Sequence, residues 1–302
     1  MTGPLLPSWR PGATRDAVVA FLDAVTDVAP GERVAMFDND GTLWCERPTY
    51  PQFDFFVDRL TAAVGERPEL AERAEYAAVL TGDPAAIGAL GLSRVALALL
   101  ELFEGQTPAA YDASVQAFFD HAQHRSLGRP LRSMVYQPML ELLDALEQRG
   151  VDVFIVSGGG VEFVRAISQQ LYGLPADRVV GTAIRYRYER QGNAPTLLRT
   201  AELDGPPNEG SAKIEALQRH IGRRPTLAAG NSLGDRELLE YAQTSLPSLA
   251  LLIDHDDAHR EFAYASEAGT IAGDEPITDI GRREGWVVVS IRHDWSTVFP
   301  DG

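Results

Sequence analysis

Apolar positions recur along this chain in two rhythms, and their alternation lays out the fold. Ala17, Val18, Phe21, Leu22 and Val25 fall on one helical face across residues 14–28, with Thr14 placed to cap that helix. The unbroken run Val34-Ala35-Met36-Phe37 then reads as a buried strand. From about residue 47 to 133 the strand signal disappears. Helices are predicted over 52–64, 68–80, 92–103 and 109–124, separated by Gly, Pro and Asp. The third is apolar nearly all round, which predicts burial between neighbours.

Alternation of strand and helix resumes beyond residue 134. Met139, Leu142, Leu143 and Leu146 line a helix that Pro138 opens and Gly150 closes. Residues 151–156 form a second strand, ending at Ser157-Gly158-Gly159-Gly160 and followed by a helix over 162–172. Residues 179–188 and 196–200 alternate with period two around Gln191-Gly192-Asn193, which predicts a hairpin. A helix over 211–221 precedes a short strand over 226–229, and residues 249–253 and 286–291 supply two further strands. The pattern implies an α/β fold, a mostly parallel sheet with helices on both faces. It divides the chain into core segments 1–46 and 134–302 around an inserted helical domain, 47–133.

The 302 residues include 43 acidic and 27 basic side chains, a formal net charge of -16. That balance argues against nucleic acid or an anionic membrane as the main partner. Cys45 is the single cysteine, so no internal disulfide is possible, and a reducing compartment is implied. Neither a signal peptide nor a membrane-spanning run is visible, and the expectation is a cytoplasmic protein.

The candidate chemistry lies at the ends of strands. Asp38-Asn39-Asp40-Gly41-Thr42-Leu43 follows the first strand directly and places two carboxylates where open α/β sheets hold their ligands. A calcium loop also uses Asp-x-Asp, but its glycine falls at position six, and Gly41 is at four. Ser157 and its glycines end the second strand, Asn231 and Asp235 follow the strand over 226–229, and Lys213 precedes it. Taken singly these read as a tight turn, a helix cap and a solvated lysine. Four in order at strand ends do not. His255 and His259, four apart, read as a surface helix face rather than metal ligands, and Cys45 as an apolar filler. Trp44, Tyr50, Phe53, Phe55 and Phe56 read as core beneath the inserted helices before they read as a substrate cleft.

This set of motifs resembles the haloacid dehalogenase superfamily of hydrolases, mostly Mg-dependent phosphatases with a Rossmann-like fold. Asp38, Asp40 and Thr42 match its first motif, Ser157 its second, Lys213 its third, and Gly230-Asn231 with Asp235 its fourth. The resemblance implies Asp38 as nucleophile forming an aspartyl-phosphate, and Asp40 as general acid and base. It implies phosphate contacts from Thr42, Ser157, Gly158 and Gly159, charge neutralisation by Lys213, and a Mg²⁺ site (Mn²⁺ as substitute) among Asp38, Asp40, Asn231 and Asp235. The family usually has Asp where Asn231 stands, which implies weaker metal affinity. Asp40 favours phosphoryl chemistry over carbon–halogen cleavage, because the dehalogenating members lack it. The large insertion after the first motif resembles the phosphoserine-phosphatase-like branch, with its helical cap. That branch often carries a substrate-binding Glu nine places after the nucleophile; here Glu46 is eighth and Arg47 ninth, and both are candidate substrate contacts. The implied substrate is a small phosphorylated metabolite. A phosphotransferase or mutase, and a non-catalytic phospho-ligand binder, are the alternatives.

Overall fold

The structure, a computed structural model, describes residues 4–192 and 194–300. Helix α1 (Ala13–Ala24) leads into β1 (Val34–Phe37), the central strand. Five helices follow: α2 (Pro51–Glu66), α3 (Ala74–Thr81), α4 (Pro84–Leu90), α5 (Leu92–Glu101) and α6 (Pro108–His121). The chain then runs through α7 (Gln137–Glu147), β2 (Asp152–Gly160), α8 (Val161–Tyr172) and β3 (Val179–Thr182). A hairpin of β4 (Ile184–Gln191) and β5 (Ala194–Leu203) precedes α9 (Ser211–His220), β6 (Leu227–Gly230), α10 (Arg236–Gln243) and β7 (Leu249–Asp254). Helix α11 (Ile277–Glu284) and β8 (Val287–Ser290) complete the main elements.

Six strands make one parallel sheet in the order β3-β2-β1-β6-β7-β8. Strand residues feed its two faces in turn. Ala35, Phe37, Val153, Ile155, Leu227 and Ala229 enter one core with α1, α7 and α8. Val34, Met36, Phe154, Val156 and Ala228 enter the other with α9, α10 and α11. All four residues of β1 are fully buried, and Val34, Met36 and Phe37 each stabilise the fold by about 1.5–3 kcal/mol. Successive strands leave β1 in opposite directions, to β2 and β3 on one side and to β6, β7 and β8 on the other. The carboxyl edge of β1 is therefore a switch point, the usual place for a ligand in such sheets.

The inserted helices divide into two parts. Phe55 of α2 and Tyr111, Val115, Phe118 and Phe119 of α6 belong to the same core as β1 and α8. Leu60, Tyr76, Val79, Val95, Ala98 and Leu99 form a separate, smaller cluster under α3 and α5.

Several local expectations change. Helix α1 begins at Ala13 with Gly12 in the cap position and no side-chain cap, so Thr14 lies inside the helix. The helix expected over 68–80 is a short 3₁₀ turn followed by α3, and α4 is an additional helix whose Asp83 side chain accepts from Ala85 N at 2.9 Å. Helix α5 is buried on one face only: Leu92 and Leu97 are exposed at 55% and 41%. Residues 179–182 join the parallel sheet as β3, and the hairpin pairs β4 with β5 instead. Asn193, assigned above to its turn, lies outside the described residues. Residues 255–259 are not helical, and His255 is buried. Among the described residues no single helix is long and apolar enough to cross a membrane.

Candidate active site

Three strand ends and one helix converge on a cavity of about 290 Å³. Asp38 stands just past β1, its N–H donating to the Ala229 carbonyl of β6 at 2.9 Å. Lys213 reaches in from the first turn of α9 and donates from Nζ to Asp38 Oδ1 and Asp235 Oδ1, both at 2.6 Å. All three side chains are buried. Burial alone would lower the Lys213 pKa, but Asp235 and Asp38 outweigh it and hold the ammonium charged. One ammonium shared by two carboxylates leaves an excess of negative charge. Burial, with Asp235 adding to it, accordingly raises the Asp38 pKa well above the ordinary carboxylate range despite the contact with Lys213.

Asp40 takes a different environment two residues on. Trp44 Nε1 donates to its Oδ1 at 2.8 Å, and burial raises its pKa against the pull of that hydrogen bond. The turn that follows Asp40 is tight. Gly41 has φ +72°, and a Cβ there would overlap the Asn231 amide and the Glu46 carboxyl. Only glycine meets both demands.

Asp235 is fully committed. Its Oδ2 accepts from the Asn231 and Ser232 amides, both at 3.0 Å, and from Ser232 Oγ at 3.2 Å, while Lys213 occupies Oδ1. Asn231 is held differently: its Nδ2 donates to Glu46 Oε1 at 3.1 Å and to Ser266 Oγ at 3.3 Å. This fixes which end of the amide is which, and Oδ1 accepts no hydrogen bond among the described residues. No three His, Cys, Asp or Glu side chains among the described residues converge to hold a metal by themselves. The donors do suit a hard cation, however: the Asp38 and Asp40 carboxylates, the Asn231 amide oxygen and backbone carbonyl all offer oxygen, and the local charge is negative. Asp235, with both oxygens occupied, is an anchor for Lys213 and its own turn rather than an open ligand.

Strand β2 carries the fully buried Ser157 to the glycine turn beside the cavity, where its Oγ accepts from Gly159 N at 2.9 Å. Gly158 and Gly159 line the cavity at the amino end of α8, and Gly160 N donates to Gln52 Oε1 of α2 at 2.9 Å. Asn208 supports this turn from behind, its Nδ2 donating to the Ser157 carbonyl at 3.0 Å.

The cavity thus brings together Asp38, Asp40, Glu46, Gly158, Gly159, Lys213, Asn231 and Asp235. Three expected contacts fall outside its lining: Ser157, fully buried with its Oγ accepting from Gly159 N, and also Thr42 and Arg47. Thr42 is fully buried with its hydroxyl unpartnered, and the Arg47 guanidinium lies 4.4 Å over the Tyr264 ring. Glu46 faces Asn231 and the Tyr264 hydroxyl, which donates to its Oε1 at 2.9 Å. Burial pushes the Glu46 pKa up to about 7, with His255 and Tyr264 opposing the rise.

Sequence reasoning missed the layer behind these groups. His255 stacks on Tyr264 with ring centroids 4.5 Å apart, and its nitrogens face the Gly41 carbonyl at 2.9 Å and Glu261 at 3.2 Å. Glu261 also accepts from Tyr136 and from the Cys45 thiol, whose pKa burial and Glu261 push up, consistent with an inert cysteine. The aromatic residues after the first motif divide: Trp44 and Phe55 are core, whereas Tyr50, Phe53 and Phe56 line the cavity.

A family model described as haloacid dehalogenase-like hydrolase matches residues 35–240. No curated protein matches the chain. Among solved structures, a protein of unknown function from Bordetella pertussis Tohama I is similar over 85% of this chain and 98% of its own, at 16% identity and a TM-score of 0.52. A cytosolic 5′-nucleotidase IIIB bound to cytidine is similar over 83% of each chain (16% identity, TM-score 0.45). A phosphoserine phosphatase in the form of a phospho-aspartyl intermediate analogue is similar over 74% of this chain and 86% of its own (18% identity, TM-score 0.38). At 16% identity the first of these shows a likeness of fold alone.

Proposed function

The chain belongs to the haloacid dehalogenase-like hydrolases, and from that premise we propose that it is a Mg-dependent phosphomonoesterase working through an aspartyl-phosphate on Asp38. The observation that carries this reading is the pair of 2.6 Å contacts from Lys213, which aim a buried carboxylate from the central strand into a cavity shared with Asp40 and the Gly158–Gly159 backbone.

In the first half-reaction Asp38 attacks phosphorus. A bond from its carboxylate oxygen to phosphorus forms as the bond to the alcohol oxygen breaks, and Asp40 gives the departing oxygen its proton. In the second, Asp40 takes a proton from water, the water oxygen displaces Asp38 from phosphorus, and phosphate leaves with both carboxyl groups restored. The raised pKa of Asp40 suits this exchange, because a group that must give and take a proton works best near the ambient pH. Ser157 and the Gly158 and Gly159 amides, at the amino end of α8, orient the phosphoryl oxygens. Mg²⁺ held by Asp38, the Asp40 backbone carbonyl and Asn231 Oδ1 would neutralise phosphoryl charge as a Lewis acid. Residues 47–133 are assigned as the cap, with Gln52 of α2 reaching the phosphate turn, and 1–46 and 134–302 as the core.

The direct test is phosphate release from p-nitrophenyl phosphate. Activity is expected with Mg²⁺, at background with chelator, and restored by added Mg²⁺ or Mn²⁺. Turnover that chelator leaves untouched would refute the metal dependence.

The Asn231 arrangement makes a second expectation. Asn231→Asp places a carboxylate where Nδ2 now donates to Glu46, setting two buried acids side by side. In chelator the variant should lose about 1–3 kcal/mol of stability, and Mg²⁺ should recover most of it, as read by thermal melting. Unchanged melting in chelator would show that the amide donation to Glu46 holds nothing together.

A further inference from the structure

Opposite the carboxylates the cavity is walled by hydrocarbon. Helix α2 contributes Phe53 and Phe56, and α5 contributes Leu92, Val95, Ala96 and Leu99. Lys213 is the one cation among the described residues lining the cavity, and both oxygens it contacts lie at 2.6 Å, so it has no free reach toward a second anion. The other charged lining groups are acids: Glu46, Glu209 and Glu267 besides Asp38, Asp40 and Asp235. Glu209 is itself tied down, accepting from Gly269 N at 3.2 Å and Thr270 N at 2.8 Å. Arg47 is turned onto Tyr264 and Arg199 onto Tyr111, where it lies 3.7 Å from the ring centre, and Arg94 of α5 pairs with Glu75. At about 290 Å³ the space is at the small end of small-molecule sites, which run from roughly 300 to 1,000 Å³.

We infer that this site selects monophosphate esters of small apolar alcohols, with one aromatic ring or a branched alkyl group, and rejects esters that carry a second anionic group. The inference rests on the phosphomonoesterase reading above and narrows its substrate class. A carboxylate or second phosphate on the alcohol would lose its water against Phe56, Val95 and Leu99, near Glu46, with no cation to receive it. An apolar group of the same size gains on entering that wall, and a difference of one methylene in such pockets is worth about 10-fold or more in kcat/KM.

Benzyl phosphate and phosphoserine are the discriminating pair, since both esters have an alkyl leaving oxygen and differ mainly in charge and polarity. With Mg²⁺ present, benzyl phosphate should exceed phosphoserine in kcat/KM by at least about 30-fold. Equal or reversed preference overturns the inference and leaves the phosphomonoesterase reading standing. Calorimetric binding of benzylphosphonate against 2-amino-4-phosphonobutyrate asks the same question without turnover. Preferential binding of benzylphosphonate by a protein that releases phosphate from neither ester nor from p-nitrophenyl phosphate would sustain the apolar selectivity and sink the hydrolase reading; equal binding overturns the selectivity. Ala96→Arg ties the effect to the wall. The position is exposed on α5, so folding should be retained, and the new guanidinium would sit at the cavity. The ratio of benzyl phosphate to phosphoserine activity should fall at least about tenfold. A folded variant with an unmoved ratio would count against the wall as the selecting element.

Discussion

Asp38→Asn should reduce phosphate release by at least about 10⁴-fold in kcat, because no nucleophile remains to open the first half-reaction. The same substitution should leave the metal-free protein as stable as before or more so. Folding raises the Asp38 pKa above its unfolded value, chiefly through burial and then through Asp235. The folded state therefore retains a proton that the unfolded chain has given up, and this carboxyl costs stability as the pH climbs above its unfolded value. Asn has the same shape, can still accept from Lys213, and carries no charge. Melting in chelator at neutral pH, paired with single-turnover kinetics in Mg²⁺, reads both effects. Wild-type kcat in the variant would dismiss Asp38 as nucleophile, and a large drop in melting temperature would dismiss the charge argument.

Lys213→Met should be the most destabilising change in the site. It leaves Asp38 and Asp235 buried without the ammonium that contacts each at 2.6 Å, and removing one partner from such a group costs about 3–5 kcal/mol. For a chain of this size that corresponds to a fall of roughly 5–8 °C in melting temperature. Activity should fall by about 10³-fold or more, because phosphoryl charge builds up with no cation from the chain beside it. The double variant Lys213→Met with Asp38→Asn separates charge from packing. If the loss is electrostatic, neutralising Asp38 should restore a large part of the lost stability. If the double variant melts no higher than Lys213→Met, lost packing is the cause.

The sequence made the frame of this site legible for a physical reason. Asp38, Ser157 and Asn231 each end a run of apolar residues that can only be a buried strand, so the pattern that builds the core also delivers them to one edge. Lys213 and Asp235 followed from their order along the chain. The second layer left no such trace. Glu46 meets Tyr264 across 218 positions, and Gly160 meets Gln52 across 108, contacts that no local period records. His255 seemed a surface residue because its spacing to His259 matched a helix, whereas Tyr264 and Glu261 enclose it in a loop. Helix α5 seemed wholly buried because its apolar residues surround it. One side is buried as expected, and on the other Leu92 and Ala96 face the cavity. Residues 179–182 went to the wrong sheet because period-two alternation cannot distinguish an edge strand from a hairpin arm.

The divided packing of the inserted helices decides where this protein can be recombined. Excising 47–133 as a module would remove Phe119 from Trp44 and Phe163, and Phe55 from Phe163, opening the main core to water. The buried ion pair of Arg199 with Glu162 ties the hairpin to α8, and the Arg199 amide, donating to the Gln106 carbonyl at 2.8 Å, secures the loop before α6 to the hairpin. The exchangeable unit is smaller: residues 68–101, whose buried side chains share with Leu60 of α2 a cluster separate from the main core. A chimaera that replaces only this stretch keeps the aromatic floor and changes the wall, so specificity can be transplanted without refounding the fold.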